Sequence, residues 1–380
     1  EAPVIQITLF LTSIAIRCFR WKIYVNLRAC MKASFLKYTL HFKRPGGTSR
    51  GVLTQKDTYF ILLEDQDRMG IGEAGLFRGL SWDDVPDYEI QLERACRALE
   101  SGETEPWNAF SAYPSIVFAM EQALRSLEGP DPFLLFHENP FTTGESLPIN
   151  GLIWMGDLSY MKQQVAAKLA EGFTCLKLKI GALDFQEELG MLREIRREFS
   201  AGDLEIRVDA NGAFPSNIAL ERLKRLSELH LHSIEQPIRA GQPDQMAELC
   251  ARTPLPIALD EELIGCLETE SKSALLGTIR PQYIILKPSL VGGYSGSEEW
   301  IHLAELYESG WWVTSALESN IGLNAIAQWT STLGVDRPQG LGTGSLFTNN
   351  FDSPLEVRKG RLHYRSGKPW DIQKIYKICT

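Results

Sequence analysis

No C-x-x-C pair occurs in these 380 residues, and the seven cysteines (Cys18, Cys30, Cys96, Cys175, Cys250, Cys266 and Cys379) are scattered and odd in number. Neither a disulfide framework nor a thiolate metal site is therefore expected, and a reducing cytoplasm is the compartment that fits. The six histidines show no ligand spacing. His230 and His232, in "LHLHSIE", could share a strand face but are read as structural. Any metal should thus be held by oxygen. Positive charge is also in deficit: 39 Lys and Arg against 48 Asp and Glu leave a net charge of -9, with no basic stripe, so nucleic acid is not an expected partner. A membrane partner is not expected either. "PVIQITLFLTSIAI" is apolar for only about fourteen residues, too short to span a bilayer comfortably, and basic residues follow it rather than precede it, the wrong order for a signal peptide.

Residues 1–30 are read as upstream sequence lying outside the native fold, with Met31 opening "MKASFLKYTLHFKRP" as a cytosolic start. N-terminal sequencing of protein from the native host tests this, and a first residue before Met31 refutes it. In residues 31–147, two alternating stretches, "FLKYTLHF" and "GVLTQKDTYFILLED", flank the Gly-rich "RPGGTSRG" and predict a hairpin with a mobile loop. Two helical patterns follow, in "YEIQLERACRALESG" and "PSIVFAMEQALRSLEG", so this part is expected to be an α+β capping domain. From 148 to 350 the grammar changes. Short apolar runs recur, each followed by an amphipathic helical pattern, which is the cadence of parallel β/α units. Strands are predicted at "LIWMG", "CLKLKI", "LEIRVDAN", "HSIEQP", "PIALDE", "YIILKP", "WWVTSALE" and "QGLGTG". The helix after the first is delimited by Asp157 as N-cap and Gly172 as left-handed stop.

Eight strands suggest a closed barrel, and the placement of charge favours a barrel over an open sheet, because barrel chemistry gathers at the carboxyl ends of many strands. Strands three, four and five end in "RVDAN", "IEQP" and "ALDEE", which would aim Asp209, Glu235 and Asp260 into one space. Three bare carboxylates that close repel each other, and a divalent cation between them is the remedy. An all-oxygen donor set favours Mg²⁺, with Mn²⁺ able to substitute. Alternation puts Lys177 and Lys179 of "TCLKLKIG" on one face of strand two, with Lys287 of strand six across the barrel mouth. Like-charge repulsion from Lys177 and from the cation should lower the pKa of Lys179 and make it a general base; the lysines need not be salt-bridge partners. Proton abstraction beside a carboxylate is the chemistry that needs these parts.

"KLK", "VDAN", "IEQP", "LDE", "LKP" and "SALESNIG", in this order from about Ser34 to the C-terminus, resemble the enolase superfamily, muconate-lactonizing subgroup. The resemblance implies an enolase-type modified (β/α)8 TIM barrel, its N-terminal α+β cap completed by residues 351–380. "GEAGLFRGLS", "PSIVFAMEQAL" and "GLGTGSLF" look more particularly like the branch that carries out Mg²⁺-dependent syn-dehydration of a small-molecule carboxylate, 2-succinyl-6-hydroxy-2,4-cyclohexadiene-1-carboxylate, through an enediolate intermediate. Carried over, it makes Asp209, Glu235 and Asp260 the Mg²⁺ ligands and Lys179 both base and acid. Lys177 would then touch the substrate carboxylate, and Lys287 would support the opposite ring face. Arg207 and Asn211 become second-shell or substrate-orienting groups. Glu261 should point away from its neighbouring ligand, although the family usually places an acid there near the second lysine. Ser315, Glu318 and Ser319 end strand seven, and Gly342 and Thr343 end strand eight; Ser315, Ser319, Gly342 and Thr343 would suit a succinyl carboxylate, with Glu318 behind them. Loops 45–51 and 76–81 would close over the substrate, with Arg50 or Arg78 as anion contacts.

The rival within enzymes is an N-succinylamino acid racemase or related epimerase using Lys179 and Lys287 as paired bases. Dipeptides are disfavoured because "GLGTGSLF" lacks the acids that grip an ammonium. A non-catalytic metabolite-binding barrel is disfavoured by the presence of Lys179, Asp209, Glu235 and Asp260 together. No interface, and so no oligomeric state, can be read from the sequence.

Overall fold

The computed structural model describes residues 31–48, 51–102 and 105–371. The expectation about residues 1–30, the proposed contact of Arg50, and Cys18, Cys30 and Cys379 lie outside the described residues. Strands β1 (Lys32–Thr48) and β2 (Gly51–Asp65) form the expected antiparallel hairpin, and β3 (Arg68–Ala74) extends it to three strands. The sequence reading passed over β3, whose two glycines weaken any strand signal. Their reason is contact: a Cβ on Gly70 or Gly72 would lie 2.3 Å or 1.9 Å from a backbone oxygen of the helix packed on the sheet. That helix is α2 (Pro114–Glu128), buried along nearly its whole length, and α1 (Tyr88–Glu100) precedes it; both were predicted.

Seven short parallel strands follow: β5 (Gly151–Ile153), β6 (Cys175–Lys179), β7 (Glu205–Asp209), β8 (Ser233–Glu235), β9 (Ile257–Leu259), β10 (Tyr283–Leu286) and β11 (Gly310–Val313). They pair in strict chain order, and each link carries a helix: α3 (Leu158–Ala170), α4 (Phe185–Glu198), α5 (Ser216–Ser227), α6 (Pro243–Arg252), α7 (Thr269–Ile279) and α8 (Gly293–Leu306); α9 (Asn320–Thr332) follows β11. The first helix begins as read: Asp157 accepts a hydrogen bond from Tyr160 N, and Gly172 takes φ +83°. The predicted eighth strand "QGLGTG" is reduced to two bridges, Gln339 with Ile149 and Gly340 with Thr314. These close the ring, through Gln339 N to Pro148 O at 2.8 Å and Gly340 N to Val313 O at 2.8 Å. His230 and His232 share no strand face: His230 sits in a turn at φ +49°, and His232 stacks on Tyr283 at 5.0 Å.

β4 (Ser146–Pro148) pairs with a C-terminal hairpin, β12 (Leu355–Arg358) and β13 (Arg361–Tyr364), while Phe351 and Trp370 pack beside Phe60, Leu62 and Ile71 of the first sheet. Among the described residues, no helix is long and apolar enough to cross a membrane.

Two buried carboxylates dock the first sheet and its helix onto the barrel. Glu73 accepts from Ser319 N (2.9 Å), Ser319 Oγ (2.5 Å) and Gly322 N (2.8 Å) at the start of α9. Glu121 accepts from Tyr294 N (2.5 Å) and Ser295 N (3.1 Å) at the start of α8. Each satisfies amide hydrogens that a helix N-terminus leaves unpaired. Burial pushes the Glu121 carboxyl up to about 7 from 4.5 despite these bonds. Since its folded pKa is raised, the folded state holds a proton that the unfolded chain has lost between those values, and stability falls as pH rises through that window. Glu121→Gln should flatten this dependence, by an amount of roughly 3 kcal/mol. Thermal melts of both proteins between pH 4.5 and 8 check it; a wild type that gains on the variant as pH rises contradicts it.

Candidate active site

Parallel register sets the site. Lys179 of β6 lies opposite Asp209 of β7, and Asp209 opposite Glu235 of β8, so a lysine and two carboxylates form one transverse row; Glu235 in turn faces Ala258, two residues before Asp260. The lysines of "KLK" do share a face, and in this structure both are ion-pair partners of the carboxylates. Lys177 Nζ is 3.1 Å from Asp209 Oδ2 and 2.5 Å from Glu235 Oε2. Lys179 Nζ donates to Asp209 Oδ2 at 3.0 Å and to Asn211 Oδ1 at 2.7 Å. Lys287 Nζ donates to Asp260 Oδ2 at 2.5 Å.

Burial alone would drive the ammonium groups of Lys177 and Lys287 toward neutrality, but the carboxylates outweigh it and hold both pKa values above the ordinary lysine range. Burial likewise opposes ionisation of Asp209, and here the three lysines outweigh it and hold its carboxyl below the usual range. Glu235 goes the other way: burial first, and the charge of Asp209 next, push it well above. Among the described residues no three acidic, imidazole or thiol groups converge on one point, since each carboxylate of the row is drawn to a lysine. The donor set nevertheless suits a hard divalent cation. All three candidates offer oxygen, Glu235 Oε1 is buried without a hydrogen bond, and a cation there would offset the burial and the charge of Asp209 that oppose ionisation of Glu235.

These groups open into a cavity of about 420 Å³, whose wall includes Lys177, Lys179, Asp209, Asn211, Asp260, Glu261 and Lys287, together with Ser315, Gly342 and Thr343. Glu235 lies behind Lys177 rather than on the wall. The loops read as a cover contribute Gly51–Leu53 and Phe77–Leu80. Arg78 is on the wall, with Nη1 donating to Asp84 Oδ1 at 2.5 Å. Ser315 Oγ and Thr343 Oγ1 are 2.7 Å apart, a polar pair facing a largely apolar side.

Three expectations need correction. Arg207 is not at the substrate cavity. It sits one layer deeper in the barrel, where Nε donates to Glu205 Oε1 (2.7 Å), Nη1 donates to Pro338 O (2.9 Å), and the guanidinium lies 4.4 Å from the Trp312 ring centroid. Ser319 is not there either, its hydroxyl being given to Glu73 and its oxygen to Ile321 N. Glu261 does not point away. The chain leaves the strand at Leu259 and enters a tight turn over Glu261–Leu263, so strand alternation no longer applies, and Glu261 Oε1 accepts from Asn211 Nδ2 at 3.1 Å on the cavity wall. Glu318 is buried behind the site and accepts from Ser289 Oγ at 2.5 Å. Sequence reasoning missed Asn150, Leu152, Trp154 and Leu290 on the wall. The position of Asn150 and Leu152 around the first barrel strand was the available signal.

Residues 160–369 match the enolase C-terminal domain-like family. The chain is 49% identical over 364 residues to o-succinylbenzoate synthase of Desulfotalea psychrophila, covering 87% of this chain and 98% of that protein. The crystal structure of MenC from Desulfotalea psychrophila LSv54 matches with a TM-score of 0.78 at 46% identity, over 88% of this chain and 99% of that one. N-succinylamino acid racemase of Thermus thermophilus is 31% identical over 206 residues, 53% of each chain.

Proposed function

The chain belongs to the o-succinylbenzoate synthases of the enolase C-terminal domain-like family, and from that membership we infer the chemistry of its site. The enzyme is a lyase of menaquinone biosynthesis that removes water from 2-succinyl-6-hydroxy-2,4-cyclohexadiene-1-carboxylate and leaves aromatic o-succinylbenzoate. Asp209, Glu235 and Asp260 would hold Mg²⁺. Bound there, the ion would supply positive charge to stabilise the developing charge on the substrate carboxylate.

The observation that carries this reading is the row Lys179, Asp209, Glu235, whose members Lys179 and Asp209 line one cavity with Asp260 and Lys287 while Glu235 pairs with Lys177 behind the wall. In its neutral form Lys179 takes the proton from the carbon bearing the carboxylate, and the electron pair of that C–H bond moves toward the carboxylate oxygens. The pair returns as the ring C–O bond breaks, and the same ammonium delivers its proton to the departing hydroxyl, so one water leaves and the lysine is regenerated. Syn geometry needs only one such group. Lys177 would orient the carboxylate, and Lys287 would face the ring from the far side as a fixed positive charge. Asn211 would hold Lys179 in place through its 2.7 Å contact. Ser315 and Thr343 would receive the succinyl arm, with the loops at Gly51–Leu53 and Phe77–Leu80 keeping water out. Cytoplasmic placement is supported by the free thiols of Cys96, Cys175, Cys250 and Cys266.

Chromatography of the product is the test. Conversion to o-succinylbenzoate is expected. The second reading, favoured by the presence of both Lys179 and Lys287 on the cavity wall, is racemisation of N-succinylamino acids; it replaces the first if an N-succinyl L-amino acid racemises in D₂O while the cyclohexadiene is left unchanged.

A further inference from the structure

Gln236 stands between the strand ends that carry the three candidate ligands, and it is fully buried. Its φ of +40° is unusual for a residue other than glycine, and the following Pro237 restricts the backbone further. Strain of this kind persists where surrounding bonds over-determine it. Here they do. Gln236 N donates to Ala258 O at 2.9 Å, and Gln236 O accepts from Gly212 N at 2.7 Å. Its side-chain Oε1 accepts from Asp260 N (3.2 Å) and Glu262 N (3.3 Å), and Nε2 donates to Glu262 Oε2 (3.0 Å) and Ile238 O (3.0 Å). One residue thus ties the ends of β7, β8 and β9 together, next to Glu235, three residues beyond Asp209, and on the amide of Asp260 itself.

We propose that Gln236 is a positioning residue that sets the spacing of Asp209, Glu235 and Asp260 and thereby the affinity for the divalent cation, a role that rests on the metal-binding reading above. Neither proton transfer nor substrate contact is involved. Its amide acts through the backbone of Asp260 and the carboxylate of Glu262, which itself accepts from Gly241 N at 2.9 Å.

The experiment is Mn²⁺ titration of the full chain, followed by the electron paramagnetic resonance of free Mn²⁺, alongside thermal melting in EDTA. Gln236→Gly removes the side chain while accepting a positive φ. Outer groups that hold metal ligands typically contribute 10–100-fold in affinity, so about that loss is expected in folded Q236G. The exchange variant Q236E/E262Q keeps an acceptor for Asp260 N and returns a donor at 262, and it should recover about tenfold or more of the loss. Should Q236G not fold, Gln236→Asn, one methylene shorter, carries the same comparison. A purely structural role would lower the melting temperature and leave Mn²⁺ affinity unchanged, and affinity within about twofold of wild type in the folded variant overturns the proposal. Wild type that binds Mn²⁺, with Asp209→Asn that does not, upholds the metal reading independently. Wild type that takes up none overturns both.

Discussion

Lys179→Ala is expected to reduce turnover by about 10⁴-fold, the upper end of what a positioned proton-transfer group contributes, because one amine both removes the proton and returns it to the leaving hydroxyl. The fold and the carboxylate row should survive. Asp209 Oδ2 has two ammonium partners, at 3.0 Å and 3.1 Å, and Lys177 remains when Lys179 is truncated. Lys177→Ala is different in kind. Its ammonium bridges Asp209 and Glu235, so its loss leaves two buried carboxylates facing each other and should destabilise the protein as well as slow it. Circular dichroism and Mn²⁺ titration separate these outcomes. Lys179→Ala protein that folds, binds metal and still turns over within about tenfold of wild type would remove Lys179 from the mechanism.

The second large effect is expected from Glu235→Gln. In wild type, a metal ion at one hundred times its Kd should stabilise the fold by about 2.7 kcal/mol, visible as a rise in melting temperature over the EDTA sample. The variant should show no rise and no turnover. In EDTA, however, it should melt no lower than wild type, because a neutral amide of the same shape replaces a carboxylate buried beside Asp209. Residues placed for function often oppose stability in this way. A metal-induced shift of wild-type size in the variant would exclude Glu235 as a ligand, whereas a large loss of stability in EDTA would make its pairing with Lys177 the main reason for its presence.

Features whose physics is local were legible in the sequence. Alternation alone puts Lys177 and Lys179 on one face, and charge at three consecutive strand ends marks Asp209, Glu235 and Asp260, of which Asp209 and Asp260 line the cavity and Glu235 lies behind Lys177. Reach and depth were not legible. Arg207 shares the inward face of Asp209, but two residues along a strand is a full layer of the barrel, and that layer is filled by Glu205 and Trp312. Ser319 reads as a site residue until its partner Glu73, 246 positions away, is in place. Glu261 misleads because the strand ends at Leu259, two residues before the end of the predicted "PIALDE". The side chains of Trp154 and Leu290 on the wall carry no mark that separates them from core, and β3 was hidden by the glycines that let α2 approach. The eighth strand read at "QGLGTG" marks where the barrel closes, but the sequence did not show that closure there is reduced to two bridges, at Gln339 and Gly340.

The most direct test of the central claim is the ultraviolet absorbance of the cyclohexadiene substrate, followed in time with purified protein and Mg²⁺ and then with excess EDTA. Rapid loss of the diene band with o-succinylbenzoate appearing, stopped by EDTA and restored by added Mg²⁺, is the predicted result. An unchanged band with folded, metal-loaded protein, or turnover indifferent to EDTA, would contradict it.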